Sequence, residues 1–302
     1  MGDERQQATR ATLDIEPSVF SRSFDRRPFG FSHNLSTLEA FSPDSLASLA
    51  QEYGAHPRDY FVSASAAAAD TAFFSVPSGQ HTPQEALQRL DSAAIRLLLK
   101  RPEDHDPRFR RILDQLFEQV VQLRGGLKNE KIVRLESAIF ITSASSTTPF
   151  HFDPEIAFFA QIHGEKIYHM YAPNSLHESE LEKFYLQGLV SIGQIPLEGR
   201  DSRHEHVFTL SAGKGLHQPQ NSPHWVQTRA ERSISYSLVF ETDVSRATGR
   251  TRAFNHYVRK CGLSPALPGE RPALDALKAG SMRALIPLRQ RASRLLRKTR
   301  HG

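Results

Sequence analysis

Thr147-Thr148-Pro149-Phe150-His151-Phe152-Asp153-Pro154, followed by Phe158-Phe159-Ala160-Gln161-Ile162-His163-Gly164-Glu165-Lys166, is the stretch on which the reading of this chain turns. His151 and Asp153 stand two apart in an apolar, aromatic segment. Residues i and i+2 of a β-strand project from the same face, so an imidazole and a carboxylate converge on one point. A later histidine would complete the set of two His and one carboxylate by which non-haem Fe(II) sites hold one face of an octahedron and leave the other positions open. The leading candidate is His224, in Asn221-Ser222-Pro223-His224-Trp225-Val226; its competitor is His217, in Gly215-Leu216-His217-Gln218.

A His-x-Asp pair is a weak signal in a chain with 14 His, and a polar strand face is the plain alternative. Lys166, thirteen residues after Asp153, adds weight. The pattern between them predicts a strand over Ile156–Ile162, a tight turn at His163-Gly164-Glu165 and a strand over Lys166–Tyr171, a hairpin built around Gly164. That brings Lys166 back beside the pair, with Tyr168 and Met170 on its face. A cation at such depth is costly unless an anion meets it, and a dicarboxylate bound to a metal through one end would offer its other carboxylate there.

At these residues the chain resembles the JmjC/cupin-type Fe(II)- and 2-oxoglutarate-dependent oxygenases, most of all the branch containing factor inhibiting HIF, an asparaginyl hydroxylase. The resemblance rests on Thr148-Pro149-x-His151-x-Asp153, on Phe158-Phe159-Ala160-Gln161-Ile162-x-Gly164-x-Lys166 and on Pro223-His224-Trp225, and covers about residues 138–172 and 206–241. It implies a double-stranded β-helix (a jelly-roll or cupin barrel), with His151, Asp153 and His224 as metal ligands and catalytic centre. It implies Fe(II) and 2-oxoglutarate as cofactors, with Lys166 and Thr148 on the far carboxylate and Tyr168 and Phe159 beside it. The implied activity is hydroxylation, with a protein or peptide substrate ranked ahead of a small molecule. Two departures stand out. Ala157 occupies the position, six after the first metal His, where that branch member has an amide residue, and no Asn appears over Ile234–Phe240. Asparaginyl hydroxylation is therefore not carried over.

The 302 residues suffice for a sizeable core, and 39% hydrophobic with 24% charged content is ordinary for a soluble globular chain. No run of eighteen apolar residues predicts a membrane span. Neither a secretory signal nor a myristoylation pattern is legible at Met1-Gly2. The lone Cys261 allows no internal disulfide and points to a reducing, cytoplasmic setting. Charge is uneven: residues 281–302 hold Arg283, Arg289, Arg291, Arg294, Arg297, Lys298 and Arg300 and no acid, so removing these seven from the net +5 leaves the rest at −2. A body-wide nucleic-acid surface is excluded; the tail remains a candidate contact for nucleic acid or an anionic membrane, or a helix that packs a homodimer. Pro287 is expected to interrupt any single helix there.

The chain divides on this reading into a loose polar arm (1–27), an N-terminal α/β region packing on the barrel (28–130), the catalytic barrel (131–245) and a C-terminal helical basic tail (246–302). Ser42-Pro43 opens a helix and Asp59–Ser63 reads as a strand, while Ser63–Ala72 reads as loop or weak helix. Thr82-Pro83-Gln84-Glu85 is a capping box whose helix would bury Leu87, Leu90, Ala94 and Leu97 or Leu98. A helix from near Pro107 buries Phe109, Ile112, Leu116 and Val120 and ends at Gly125-Gly126. Short strands separated by turns fill Ile132–Phe240, an antiparallel sandwich or barrel pattern. The fold class is thus mainly β with flanking helices. His163 and His169 read as surface or packing residues, and His204-Glu205-His206 as a solvated loop. Trp225, Phe152, Phe158 and Phe159 read as barrel filling. Two other functions stay open: a metal-binding cupin without oxygenase activity, an isomerase or sensor, and a regulatory module acting through the basic tail.

Overall fold

The computed structural model describes residues 10–66, 68–76, 79–188 and 192–298, leaving undescribed the side chains of Phe74 and of residues 289–298. The strands are β1 (Leu13–Asp14), β2 (Phe29–His33), β3 (Tyr60–Ala64), β4 (Ile95–Lys100), β5 (Ile132–Thr142), β6 (Thr147–Phe152), β7 (Ile156–His163), β8 (Lys166–Tyr171), β9 (Gly193–Gln194), β10 (Glu205–Leu210), β11 (Lys214–Gln218), β12 (His224–Thr228) and β13 (Ser233–Thr242). The helices are α1 (Pro17–Ser23), α2 (Pro43–Tyr53), α3 (Pro83–Gln88), α4 (Pro107–Leu123), α5 (Glu178–Leu186), α6 (Asp243–Lys260) and α7 (Pro272–Lys298). An eight-stranded sheet runs β1-β2-β11-β7-β13-β5-β4-β3 and a five-stranded sheet β10-β8-β12-β6-β9, the two layers of a jelly roll.

Alternating burial explains the layering. Strand β8 buries Lys166, Tyr168 and Met170, and the last two meet Phe159 of β7, Leu216 of β11 and Val226 of β12 in one cluster between the sheets. Strand β7 is buried along both faces from Ile156 to Ile162, as an inner strand covered on each side should be. Its outer face carries Phe158, stacked near Phe20 of α1 at 6.5 Å. Burying Phe20 and Phe158, each 2% exposed, contributes roughly 1.5–3 kcal/mol apiece.

The predicted hairpin at His163-Gly164-Glu165 is a different device. Strands β7 and β8 belong to opposite sheets, so the turn carries the chain across the jelly roll instead of pairing its two arms. Gly164 makes the crossing possible: φ is +71°, and a Cβ there would stand 2.4 Å from the Arg232 carbonyl. The predicted location of Lys166 survives for another reason, since β8 faces the same interior as β6 through β12.

Other differences have local causes. The capping box forms, yet α3 stops at Gln88 and Leu97 lies in β4, where Ile95, Leu97 and Leu99 share one fully buried face and Arg96 and Leu98 the other. Pairing with both β3 and β5 outweighs the helix preference of the leucines. Residues 10–27, expected as a loose arm, are ordered through Phe20 and through Gln115 and Gln119, which accept hydrogen bonds from the Ala11 and Leu13 N–H groups. Residues 1–9 lie outside the described residues. Glu205 and His206 open β10 and are not loop. Helix α7 continues through Pro287 instead of breaking there. A proline removes one donor from a helix without forcing it to end. The tail's side chains from Arg289 onward lie outside the described residues.

The chain falls into two compact units: residues 1–128, 134–175 and 194–240, and residues 129–133, 176–193 and 241–302. In the second, Arg252 bonds Glu178 through two contacts of 3.0 Å, and Arg259 bonds Glu182 at 2.9 and 3.0 Å. Among the described residues no helix is long and apolar enough to cross a membrane.

Candidate metal and anion site

A β-bulge sets the inward-facing residues of β6. His224 of β12 stands opposite His151, and Val226 opposite Thr148, so between these pairs Trp225 of β12 faces two residues of β6, Pro149 and Phe150. Directly opposed residues share a face, which places Thr148, His151, His224 and Val226 together although Thr148 and His151 are three apart. Pro149 lies within the bulge, where its missing N–H costs the ladder nothing.

Asp153 follows one residue after β6 ends, held by the Asn221 N–H on its carbonyl at 2.8 Å. Its carboxylate lies between the imidazoles: Oδ1 is 3.9 Å from His151 Nε2 and Oδ2 3.7 Å from His224 Nε2. One donor atom from each of the three falls within 4.8 Å of the others. Both rings are oriented alike. His151 Nδ1 donates to the Pro149 carbonyl at 2.6 Å and His224 Nδ1 to the Ser222 carbonyl at 3.0 Å, which leaves each Nε2 lone pair for the shared point. Burial, reinforced by His224, pushes His151 down to about 3, so it is neutral at ordinary pH. Gln218 Nε2 donates to Asp153 Oδ2 at 3.0 Å.

His217 is not part of this group. Its Nδ1 donates to the Ala157 carbonyl at 3.1 Å, and its Nε2 accepts the Asp25 N–H at 3.0 Å. Phe29 and Phe158 close around it at 4.7 Å each, and both nitrogens are spent. His169 stacks on Trp225 at 3.7 Å, and Glu205 accepts from both. A second group, Glu52, His56 and His105, lies elsewhere, with Glu52 and His56 exposed and His105 Nε2 engaged by Asp59 at 3.2 Å.

Lys166 is 5% exposed, with Nζ 5.4 Å from the Phe159 ring centroid and 5.9 Å from that of Phe140. Among the described residues it has no acidic partner. Burial, aided by Arg96, lowers it to about 7. Tyr168, 6.1 Å from the His224 ring and 4.8 Å from Phe159, is raised far above the usual phenol range by burial. Thr148 is half-buried on the same face.

Three nearby residues escape the sequence reading. Phe73 sets its ring 4.8 Å from His151. Gln218 lies opposite Ala157 across the β11/β7 ladder and so brings an amide into the interior where residue 157 offers none. Arg96, the one charge inside the apolar run Ile95–Leu99, is the third; an expected helix there hid the strand alternation that turns it inward.

No protein-family model and no curated protein matches the sequence. Solved structures do match. Escherichia coli YcfD aligns with a TM-score of 0.54 at 18% identity over 92% of this chain and 69% of that one. A second crystal structure, of the E. coli ribosomal oxygenase YcfD, gives 0.51 at 18% over 92% and 68%. The same protein in complex with cobalt and 2-oxoglutarate gives 0.52 at 17% over 91% and 68%. The fold is shared with YcfD. At this identity the likeness speaks to architecture alone, a mainly β jelly roll.

Proposed function

We propose that this chain is an Fe(II)- and 2-oxoglutarate-dependent dioxygenase that hydroxylates a side chain of a protein or peptide. The observation that carries the reading is the pair of imidazoles, each with Nδ1 tied to a backbone carbonyl and Nε2 aimed at one carboxylate, beside a buried lysine that has no acidic partner among the described residues. The donor set fits a ferrous ion: two neutral nitrogens and one carboxylate oxygen from a two-strand platform. When bound, the iron and the keto-diacid supply the oxidation, one atom of O₂ entering the substrate C–H bond and the other the succinate formed as CO₂ leaves. His151, Asp153 and His224 would hold the metal. Gln218 would keep the Asp153 carboxylate turned toward it. Lys166 and Thr148 would take the far carboxylate, and Tyr168 and Phe159 would wall that end against water.

The similarity to a protein described as a ribosomal oxygenase supports a protein substrate. The branch containing factor inhibiting HIF is supported by the motif residues alone, and Ala157 argues against importing its substrate. A cytoplasmic setting is supported by the lone Cys261, a homodimer by the exposed Leu277, Leu285 and Leu288 of α7, and a nucleic-acid contact by the tail's arginines. Iron-loaded enzyme incubated with cell extract should yield a product heavier by one oxygen atom, together with succinate, only when 2-oxoglutarate is added. Metal binding with no effect of 2-oxoglutarate would favour the non-oxygenase cupin instead.

A further inference from the structure

Arg96 of β4 stands opposite Thr142 of β5. The Thr142 hydroxyl bonds the Thr228 hydroxyl at 2.9 Å across the gap between sheets, and Thr228 stands opposite Lys166. Because opposed residues share a face, Arg96, Thr142, Thr228 and Lys166 form one row from β4, beside the edge strand β3 of the large sheet, to the small sheet. Phe140, two before Thr142 and on that same face, lies under the Lys166 ammonium at 5.9 Å. At its other side the guanidinium stands 6.0 Å from the centroid of Phe73, the ring that packs on His151. Among the described residues neither Arg96 nor Lys166 has an acid or other hydrogen-bond acceptor.

Lys166 is buried and Arg96 half-buried, so two like charges stand on one face with reduced hydration and repel each other. A structural role does not account for that, since a half-buried structural arginine is paired, as Arg252 is with Glu178. We propose that Arg96 is a second cation of the co-substrate site, sharing with Lys166 the carboxylate that 2-oxoglutarate points away from the metal; this rests on the function proposed above. The two side chains divide the work by shape. The guanidinium offers a planar fork that matches both oxygens of a carboxylate, and the ammonium a compact charge with three donors. Such a clamp makes the site selective for a 2-oxo acid that ends in a second carboxylate.

Calorimetric titration of 2-oxoglutarate and of 2-oxopentanoate, the same chain ending in a methyl group, into the Mn(II)-loaded protein separates the possibilities. Arg96→Gln should weaken 2-oxoglutarate roughly 10–100-fold, the worth of a lost charge-assisted bond, and leave 2-oxopentanoate unchanged. Arg96→Lys, which keeps the charge and loses the fork, should fall between; it carries the test by itself if the Gln variant does not fold. Equal weakening of both acids would reduce Arg96 to a packing residue, and no change in either would turn it toward another ligand, such as an acidic substrate; both results overturn the inference. Wild-type protein that holds Mn(II) yet binds neither acid would instead overturn the proposed function.

Discussion

The molecule treats its cations in two opposite ways. In the unit built on α5, α6 and α7, Arg252 and Arg259 each meet a glutamate through paired hydrogen bonds, and Glu182, 1% exposed, is matched by a full guanidinium. Between the two sheets, buried Lys166 and half-buried Arg96 meet no acid among the described residues, and burial lowers them to about 7 and about 10. Where a charge is architecture, the chain supplies the counter-charge; where it is left bare, the account expects a ligand to bring it. The histidines repeat the lesson. His217 spends both ring nitrogens on the backbone, whereas His151 and His224 each keep one.

The largest effect that could break this contrast comes from the carboxylate at its centre. Asp153→Ala should lower 2-oxoglutarate turnover by about a thousandfold or more, because the metal loses its one anionic ligand. Succinate formation read by mass spectrometry, with circular dichroism as the folding control, decides it; retained turnover would remove Asp153 from the site.

Lys166→Met tests the bare cation from both sides. It should weaken 2-oxoglutarate by about a hundredfold, and it should stabilise the ligand-free protein by about 1–3 kcal/mol, because an unpaired buried charge is gone. The pH dependence has a definite sign. Between about 7 and 10.5 the unfolded chain holds a proton that folded Lys166 lacks, so ligand-free stability rises with pH across that window. Denaturant titrations at several pH values should show the rise in wild type and its loss in the Met variant. A destabilised Met variant would mean that Lys166 has a partner within the fold.

The paired cations should behave in reverse. Glu182→Gln is expected to cost about 1.5–3 kcal/mol in denaturant unfolding, the worth of the charge-assisted hydrogen bonds that the buried carboxylate gives up, with co-substrate affinity untouched. The smallest effect belongs to Gln218→Ala, which frees one oxygen of Asp153 and should weaken metal binding about tenfold. Competition with a chromophoric chelator measures it.

Much of this was readable before any coordinates. Strands over Thr147–Phe152, Ile156–His163 and Lys166–Tyr171 follow from dense β-branched and aromatic residues cut by Pro154 and Gly164, and α2 and α4 from Ser42-Pro43 and Gly125-Gly126. The sequence also pointed to His151 and Asp153 by their spacing, and to His224 over His217 by the turn before it and the family resemblance. What escaped it depends on partners far away in the chain. Whether β7 and β8 pair or part is decided by β11, β13 and β12, and no local pattern around Gly164 records that. Arg96 was lost with its strand, because Leu97-Leu98-Leu99 satisfies a helical stripe and an alternating strand alike until β3 and β5 choose. Gln218 needed the register of β11 against β7 before its amide could be set opposite Ala157.

The most direct test of the account is anaerobic titration of the protein with Fe(II) and then with 2-oxoglutarate. One iron per chain is predicted, followed by one 2-oxoglutarate that binds only after the iron, with both lost in Asp153→Ala. Full iron binding in that variant, or 2-oxoglutarate binding undiminished without metal, would contradict it.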